Sequence, residues 1–514
     1  MMRGTMSVFL GMVLTMVMSL FFSMTEVTRY FCISKEADSS TTLAVQNLFG
    51  EYLRPLWEDY GILAIDASYG EDEDTTEPME GRLQSYYGGN CPDENMEGVD
   101  LLQVSMAQCN IYNRVFLTDN EGAPFVKEAA TFEKTEIPED VLENLLGISR
   151  QSSESNASDF PIRDLITNNE SLLPDQGGPP AISGSSSYKG YDGAGPALPA
   201  EASSKSSLPA DPFSGSTEYG EVEQSTENDL AHQKNMAVLS QVLEEPESVS
   251  HLGFIVEERV SERPLLKGDG YSENANLTEG ALFRYYLSQH FGSFRKDLKH
   301  EGLKYEQEYI LCGEETDEDN LTETVVRLLA LREVENVLSI RADANKMTQV
   351  HGVAAASSAV IANPELEEVV CVALIAAWAY LESVLDVRLL LSGGKVSMVK
   401  TPQEWTSDLA SIFSSLSVSV KAKDCPAGLD YSAFLFALFS LEGQKKLAFR
   451  ALDLMEDALR HVEGCANVCM DRMLVSADFD MTMTATPLFL SFIPLMTGRL
   501  SDYEYEKEKR MSYL

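Results

Sequence analysis

Nineteen residues near the N-terminus, Met6-Ser-Val-Phe-Leu-Gly-Met-Val-Leu-Thr-Met-Val-Met-Ser-Leu-Phe-Phe-Ser-Met24, follow one another without a charge. As a helix rising about 1.5 Å per residue, such a run nearly spans a hydrocarbon core of about 30 Å. Arg3 and the amino group precede it and Glu26 follows it. The positive-inside rule therefore puts the short N-terminus in the cytoplasm and everything after Met24 outside, as a single-pass protein of the cell membrane. The competing reading is a cleaved secretory signal. Its apolar region would be unusually long, and no A-x-A-like site follows, the nearest small-residue pattern being Ser23-Met-Thr25. An uncleaved anchor is the expectation, and both readings export the body of the chain.

Past this segment, Leu43, Val45, Leu48, Phe49, Tyr52, Leu53, Leu56, Trp57 and Tyr60 recur at steps of two, three and four, the pattern of one apolar helix face. Pro55 removes one helical hydrogen bond and is a candidate kink. No strong breaker lies between Met24 and Gly50. Two arrangements remain open at this level: one long helix running from the membrane into the outer domain, or two helices with a turn near Ser39-Ser40.

The 514 residues include 81 Asp plus Glu against 39 Lys plus Arg, a net charge of -42. Nucleic-acid affinity is mostly phosphate neutralisation by clustered cations, so a nucleic-acid partner is excluded. Between Ser171 and Gly220, 32 of 50 residues are Ser, Gly, Pro or Ala. Such a tract buries too little apolar surface to offset its conformational entropy. The expected organisation is an anchor at 1–24, an amphipathic helix and first part of an extracytoplasmic domain at 25–150, a disordered insertion or linker at 151–235, a main domain at 236–500 and a charged tail at 501–514. The parts on either side of the tract are expected to form one folded body, because loop closure costs little more as a loop lengthens.

Within these parts, Ile62-Leu-Ala-Ile65 reads as a short strand after Gly61, and Tyr305 to Cys312 alternates as another. Asn320-Leu-Thr-Glu323 has the form of a helix-opening capping box. Val369 to Leu381 is uncharged but too short to span a bilayer, and reads as a buried core helix. Val475, Ala477, Phe479, Met481, Met483 and Ala485 alternate with Ser476, Asp478, Asp480, Thr482, Thr484 and Thr486. That period of two gives a strand with one buried and one wet face, Asp478 and Asp480 lying on the wet one. The fold class is α+β, with an N-terminal transmembrane helix running into a long amphipathic helix and then antiparallel strands packed on helices.

Chemical signatures are scarce. Glu71-Asp-Glu-Asp74 and Asp317-Glu-Asp-Asn320 lack the ligand order of a calcium loop and read as solvated acidic loops. The six His form no H-E-x-x-H and no zinc spacing with Cys. Ser392-Gly-Gly-Lys395 fits S-x-x-K without its companion motifs and reads as a turn after a helix ending near Leu391. Cys91 and Cys109 are a candidate disulfide; Cys465 and Cys469 share a helix face at i and i+4, which is poor disulfide geometry; Cys371 reads as a small core hydrophobe. No catalytic, cofactor-binding or metal-binding residue is assigned, and no cofactor.

The extended N-terminus, with Arg3-Gly4 directly ahead of an apolar segment and a long amphipathic helix, resembles the TadE/TadG-like pseudopilins of tight-adherence (Flp) pilus systems. The blocks Glu51-Tyr-Leu-Arg-Pro-Leu-Trp-Glu-Asp-Tyr-Gly61, Tyr305-Glu-Gln-Glu-Tyr-Ile-Leu-Cys-Gly313, Ala376-Ala-Trp-Ala-Tyr-Leu-Glu382 and Leu391-Ser-Gly-Gly-Lys395 are similar to an uncharacterised family of Firmicute membrane-anchored proteins, a domain of unknown function grouped with that machinery. The resemblance implies a non-enzymatic assembly component whose partners are the lipid bilayer and pilus or secretion assembly proteins. It also implies prepilin-type processing between Gly4 and Thr5. Here the chain departs from the pattern, because a cut there leaves Phe9, not Glu, as the fifth residue. A fixed anchor is the expectation, with Met6, Val8, Leu10, Val13 and Val17 as the residues that pack on partner helices. The alternative is a membrane-tethered protein that binds or hydrolyses cell-wall or extracellular material, for which a cleft of converging polar groups with perturbed pKa is the distinguishing feature.

Overall fold

A computed structural model describes residues 2–70, 76–90, 101–137, 232–254, 259–361, 366–409, 420–489 and 502–514. Glu71–Asp74, Cys91, the Ser/Gly/Pro-rich tract and the rest of the 138–231 stretch lie outside the described residues. Helix α1, Met2–Phe49, is continuous, so the turn near Ser39-Ser40 is not made. The hydroxyls there are satisfied inside the helix: Thr41 Oγ1 donates to the Ala37 carbonyl at 2.6 Å and Ser40 Oγ to Glu36 Oε1 at 3.0 Å. The helix stops at Phe49, and Pro55 opens the first turn of a separate helix, α2, Arg54–Tyr60, where a missing N–H costs nothing. Gly61 closes α2 at φ 66°, and Phe132 would lie 2.6 Å from any Cβ there.

Strand β1, Ile65–Asp66, helix α3, Glu77–Asn90, strand β2, Val104–Phe116, and helix α4, Asp119–Glu136, follow. A helix at 232–242 begins the next described stretch. After it come α5, Leu277–His290, α6, Glu306–Cys312, α7, Asp317–Ala342, α8, Ala344–Ile361, α9, Leu366–Leu391, α10, Tyr431–Leu441, α11, Gln444–Arg460, and strands β3, Met473–Ala485, and β4, Tyr503–Ser512. The described residues before 138 and from 238 onward form one compact unit. Residues 160–237 are a second unit, of which the start of the 232–242 helix is described.

The antiparallel sheet is built around β3. Strand β2 pairs along one side of it, with Ile111 opposite Phe479, while β4 and the two-residue β1 share the other. Half of α1 is folded into this unit: Ile33, Ala37, Ala44, Val45, Leu48 and Phe49 pack with Met79, Leu83 and Tyr87 of α3 on Phe116, Phe479, Met481, Met483 and Tyr505 of the sheet. The alternation in β3 sends its apolar set into this layer, as the sequence predicts. The charged tail is corrected to an edge strand: Tyr503 and Tyr505 alternate with Glu504 and Glu506, and Lys509 Nζ pairs with Asp38 of α1 at 2.8 Å. Alternating charge on the edge also blunts it against pairing with another chain.

The opposite face of β3 is half-buried rather than wet, because a central strand has its side chains flanked on both sides. Asn113 Nδ2 donates to Asp478 Oδ2 at 2.8 Å, and Asp480 stands opposite Glu508. Asp478→Asn or Asp480→Asn is expected to change stability by no more than about 0.5 kcal/mol, the second relieving a cross-strand repulsion. Chemical denaturation of each variant measures this.

Four local readings are overturned. Residues 305–312 are helix, not strand: every residue of α6 is buried, so the alternation has no wet side to report. Its end is fixed by Gly313 at φ 80° and by Arg450, whose Nη1 donates to the carbonyls of Ile310 and Leu311 at 3.1 and 2.6 Å. The cap of α7 lies one turn earlier than Asn320: the Thr316 side chain accepts from the Asp319 amide at 3.2 Å. Asn320 is instead buried and closes the preceding turn, its Nδ2 donating to the Thr316 carbonyl at 2.7 Å. Asp317 is not a solvated loop residue either, since it accepts from the amides of Lys304 and Tyr305 and is fully buried. Cys465 and Cys469 lie in the turns after α11 rather than on a helix, and both are free thiols, as is Cys109. The turn at Ser392–Lys395 and the burial of Cys371 follow the sequence reading.

Candidate functional site: the apolar segment and its junction with the body

The first half of α1 touches little of the body. Over its most apolar 18-residue window none of it is buried, and Met6, Val8, Leu10, Val13 and Val17 are all exposed. Gly4 and Thr5 lie within the helix. Thr15 Oγ1 donates to the Met12 carbonyl at 2.8 Å and Thr25 Oγ1 to that of Phe21 at 2.9 Å, so the hydroxyls need no water. By length and composition α1 can cross a membrane. Helix α9 passes the same test, but half of it is buried. Its inner residues Cys371, Ile375, Trp378 and Ala379 pack on Ile340, Val350 and Ala354, which is the core role read from its composition.

The first charges after the apolar run are handled with unusual completeness. Arg29 is buried and donates from Nη1 to Glu26 Oε1 at 2.9 Å and to the Thr486 carbonyl at 2.8 Å, from Nη2 to the Leu102 carbonyl at 2.6 Å, and from Nε to the Leu101 carbonyl. Glu26, also buried, accepts from the Phe489 amide at 2.7 Å through its other oxygen. The Phe489 ring stacks on Phe22, one helical turn below, with centroids 6.3 Å apart. One ion pair thus ties the helix to the chain ahead of β2 and to the chain leaving β3. A planar guanidinium suits this place because a single side chain can meet several carbonyls at once. The sequence reading used Glu26 only as a topological charge and passed over Arg29. The signal was there: two opposite charges at i and i+3, immediately past an apolar run, share one helix face.

The interior of the body holds further ionisable groups. Arg332 of α7 and Lys400 both bind Asp386 of α9, Arg332 Nη2 at 2.8 Å, and Lys400 also binds Glu382. Burial pushes Glu382 up, but the Lys400 charge outweighs it and holds the carboxyl below its ordinary value. Glu308 of α6 is raised to about 7 by burial, although Tyr431 Oη donates to it at 2.6 Å. Glu128 of α4 is raised to about 8 by burial, opposed by the bond it accepts from the Leu63 amide. Neither residue lines the groove bordered by Ser34, Asp38, Thr42 and Lys507, nor the cleft of about 510 Å³ bordered by Glu51, Asp66, Tyr69 and Asn467. Glu128 and Glu308 instead receive backbone amides, the work of interior joints.

Glu128 gives a pH dependence of known sign. Folding takes up a proton wherever the folded carboxyl is protonated and the unfolded one is not. Stability therefore falls as pH rises from about 4.5 to about 8, by at most about 1.4 kcal/mol per pH unit, and levels off above. Glu128→Gln keeps an acceptor for the Leu63 amide and removes the proton uptake. It is expected to melt higher than the wild type at pH 8.5 and close to it at pH 5.

The N-terminal part of α1 is long and apolar enough for a membrane anchor or a signal sequence, and it is continuous with the core of an α+β body. The chain belongs to a family of unknown function, DUF5702, whose model matches residues 217–485. That match takes in α5 to α11 and the central strand β3, and leaves α1 and the strands that flank β3 outside it. No curated protein and no solved structure matches the chain.

Proposed function

We propose that the chain is a single-pass, membrane-anchored extracytoplasmic protein that serves the assembly of a tight-adherence pilus or a related secretion machine as a structural component. The observation that carries this reading is that α1 passes without a break from an apolar segment into the core of the folded body. A helix of that kind transmits position: a partner that packs on Met6, Val8, Leu10, Val13 or Val17 in the bilayer holds the whole body in register. The Arg3-Gly4-Thr5 sequence ahead of the apolar run supports the link to the prepilin class. Phe9 favours a stationary component, because it cannot form the buried charge pair with which a fifth-position Glu sets register between subunits.

The hydrolytic alternative finds little to rest on. Cys371 Sγ and His351 Nδ1 lie 3.4 Å apart, a Cys–His contact of the kind that nucleophiles use. An active thiol needs a lowered pKa, and that of Cys371 is raised by burial and by Glu367 and Glu368. Photo-crosslinking from Val13 in cells tests the leading reading. Adducts with membrane components of a pilus or secretion machine are expected, and protease added to wall-free cells should digest the body. Recovery along sheared, purified filaments with Thr5 as the new N-terminus would contradict the stationary role and make the chain a pilin.

A further inference from the structure

We propose that the end of the body nearest the apolar segment, formed by Leu101, Leu102, Thr486 and Phe489 around α1, lies in the headgroup layer of the outer leaflet, so that the domain sits on the bilayer and not above it. The proposal rests on the reading of α1 as a membrane anchor and adds a second, lipid-facing surface. The first charges on either side of the apolar run are Arg3 and Glu26, leaving residues 4–25 uncharged. At 1.5 Å per residue that stretch is about 33 Å long, which places Glu26 at the edge of the hydrocarbon. The headgroup layer adds roughly 5–7 Å, about the rise from Glu26 to Phe31.

Within that rise the body is already attached. Arg29 binds the carbonyls of Leu101, Leu102 and Thr486, and Glu26 binds the amide of Phe489. No linker separates bilayer from domain. Among the described residues at this level, Val27 and Phe31 continue the exposed apolar face of the anchor, and Leu101, whose carbonyl meets Arg29, is 51% exposed. Phe489, stacked on Phe22 one turn below Glu26, reaches down to the acyl boundary. From residue 4 to residue 34, α1 carries only Glu26 and Arg29 as charges, and these neutralise each other in the interior. A charged chain meets the membrane here with no exposed charge on its helix, and with the half-exposed ring of Tyr30, a residue type that favours the interface.

Three single tryptophans along this axis test it in the full-length protein, reconstituted in phosphatidylcholine–phosphatidylglycerol nanodiscs with lipids brominated either near the headgroup or deep in the chain. Leu14→Trp marks the anchor, Leu101→Trp the rim, and Leu43→Trp a point about 26 Å beyond Glu26 along α1. Emission of the wild type, which has three native tryptophans, is subtracted. Leu101→Trp should be quenched more by the shallow label than by the deep one, Leu14→Trp in the reverse order, and Leu43→Trp by neither. A quenched Leu14→Trp with Leu101→Trp as insensitive as Leu43→Trp would overturn the proposal and leave the anchor standing. An unquenched Leu14→Trp would overturn both.

Discussion

Arg29→Ala is expected to cost about 3–5 kcal/mol of stability in the full-length protein, the loss seen when one member of a buried ion pair is removed. The substitution leaves Glu26 charged and buried and takes the donor from three carbonyls, those of Leu101, Leu102 and Thr486. The chain ahead of β2 and after β3 should then exchange its amide protons faster, while α6 and α7 keep their protection. Arg29→Lys should fall between the two, since an ammonium cannot reach as many acceptors in fixed directions. Adding Glu26→Gln to Arg29→Ala should recover part of the loss by removing the stranded charge. Thermal melts in detergent and hydrogen exchange resolved along the chain measure these effects; an Arg29→Ala protein as stable and as protected as the wild type would show that the junction is held by something else.

The second large effect belongs to the interior of the helical layer. Asp386 accepts from Arg332 Nε and Nη2 at 3.0 and 2.8 Å, from Asn336 at 3.2 Å, and from Lys400. Arg332 is fully buried and Lys400 nearly so. Asp386→Ala takes the shared carboxylate from two buried cations, leaving Arg332 only the carboxylate of Glu335 and Lys400 only that of Glu382, and is expected to cost about 3–5 kcal/mol. The combined replacement Arg332→Met with Asp386→Leu should cost less than Asp386→Ala alone, because it removes a charge of each sign and fills the space with apolar atoms. Denaturant titrations of the single and double variants give the coupling between the two sites. A double variant less stable than the single one would mean that the contacts of Arg332 with Glu335 and the Met398 carbonyl outweigh its pair with Asp386.

Much of this structure is legible in the sequence where burial is one-sided. The alternation around Phe479 implies a buried apolar face, which is found, and the uncharged run before Glu26 implies a helix long and apolar enough to cross a membrane, which α1 is by length and composition. Gly61 and Gly393 mark ends because left-handed backbone favours glycine, and both sit at positive φ. Legibility fails where polar groups are buried. Asp317, Asn320 and Glu308 read as surface residues by type, but the first two are consumed by backbone groups and the third by Tyr431 as well as backbone. No local pattern announces those partners, which come from distant turns. The same blindness hid the junction: Arg29 is meaningful only once residues 101, 102 and 486, far apart in the chain, are brought beside it. The tail was misread for a different reason, since a strand edge protected by alternating charge has the composition of a solvated tail.

The central claim, that a single rigid helix joins membrane to body, is tested most directly by a distance. Spin labels at Leu10 and Gln46, with the exposed Cys32 and other accessible thiols replaced, stand 36 residues apart on α1. In lipid nanodiscs, double electron–electron resonance should return one narrow population near 54 Å, the length of an unbroken helix at about 1.5 Å per residue. A broad distribution, or a population much shorter, would mean that the helix breaks between bilayer and body and would contradict the account.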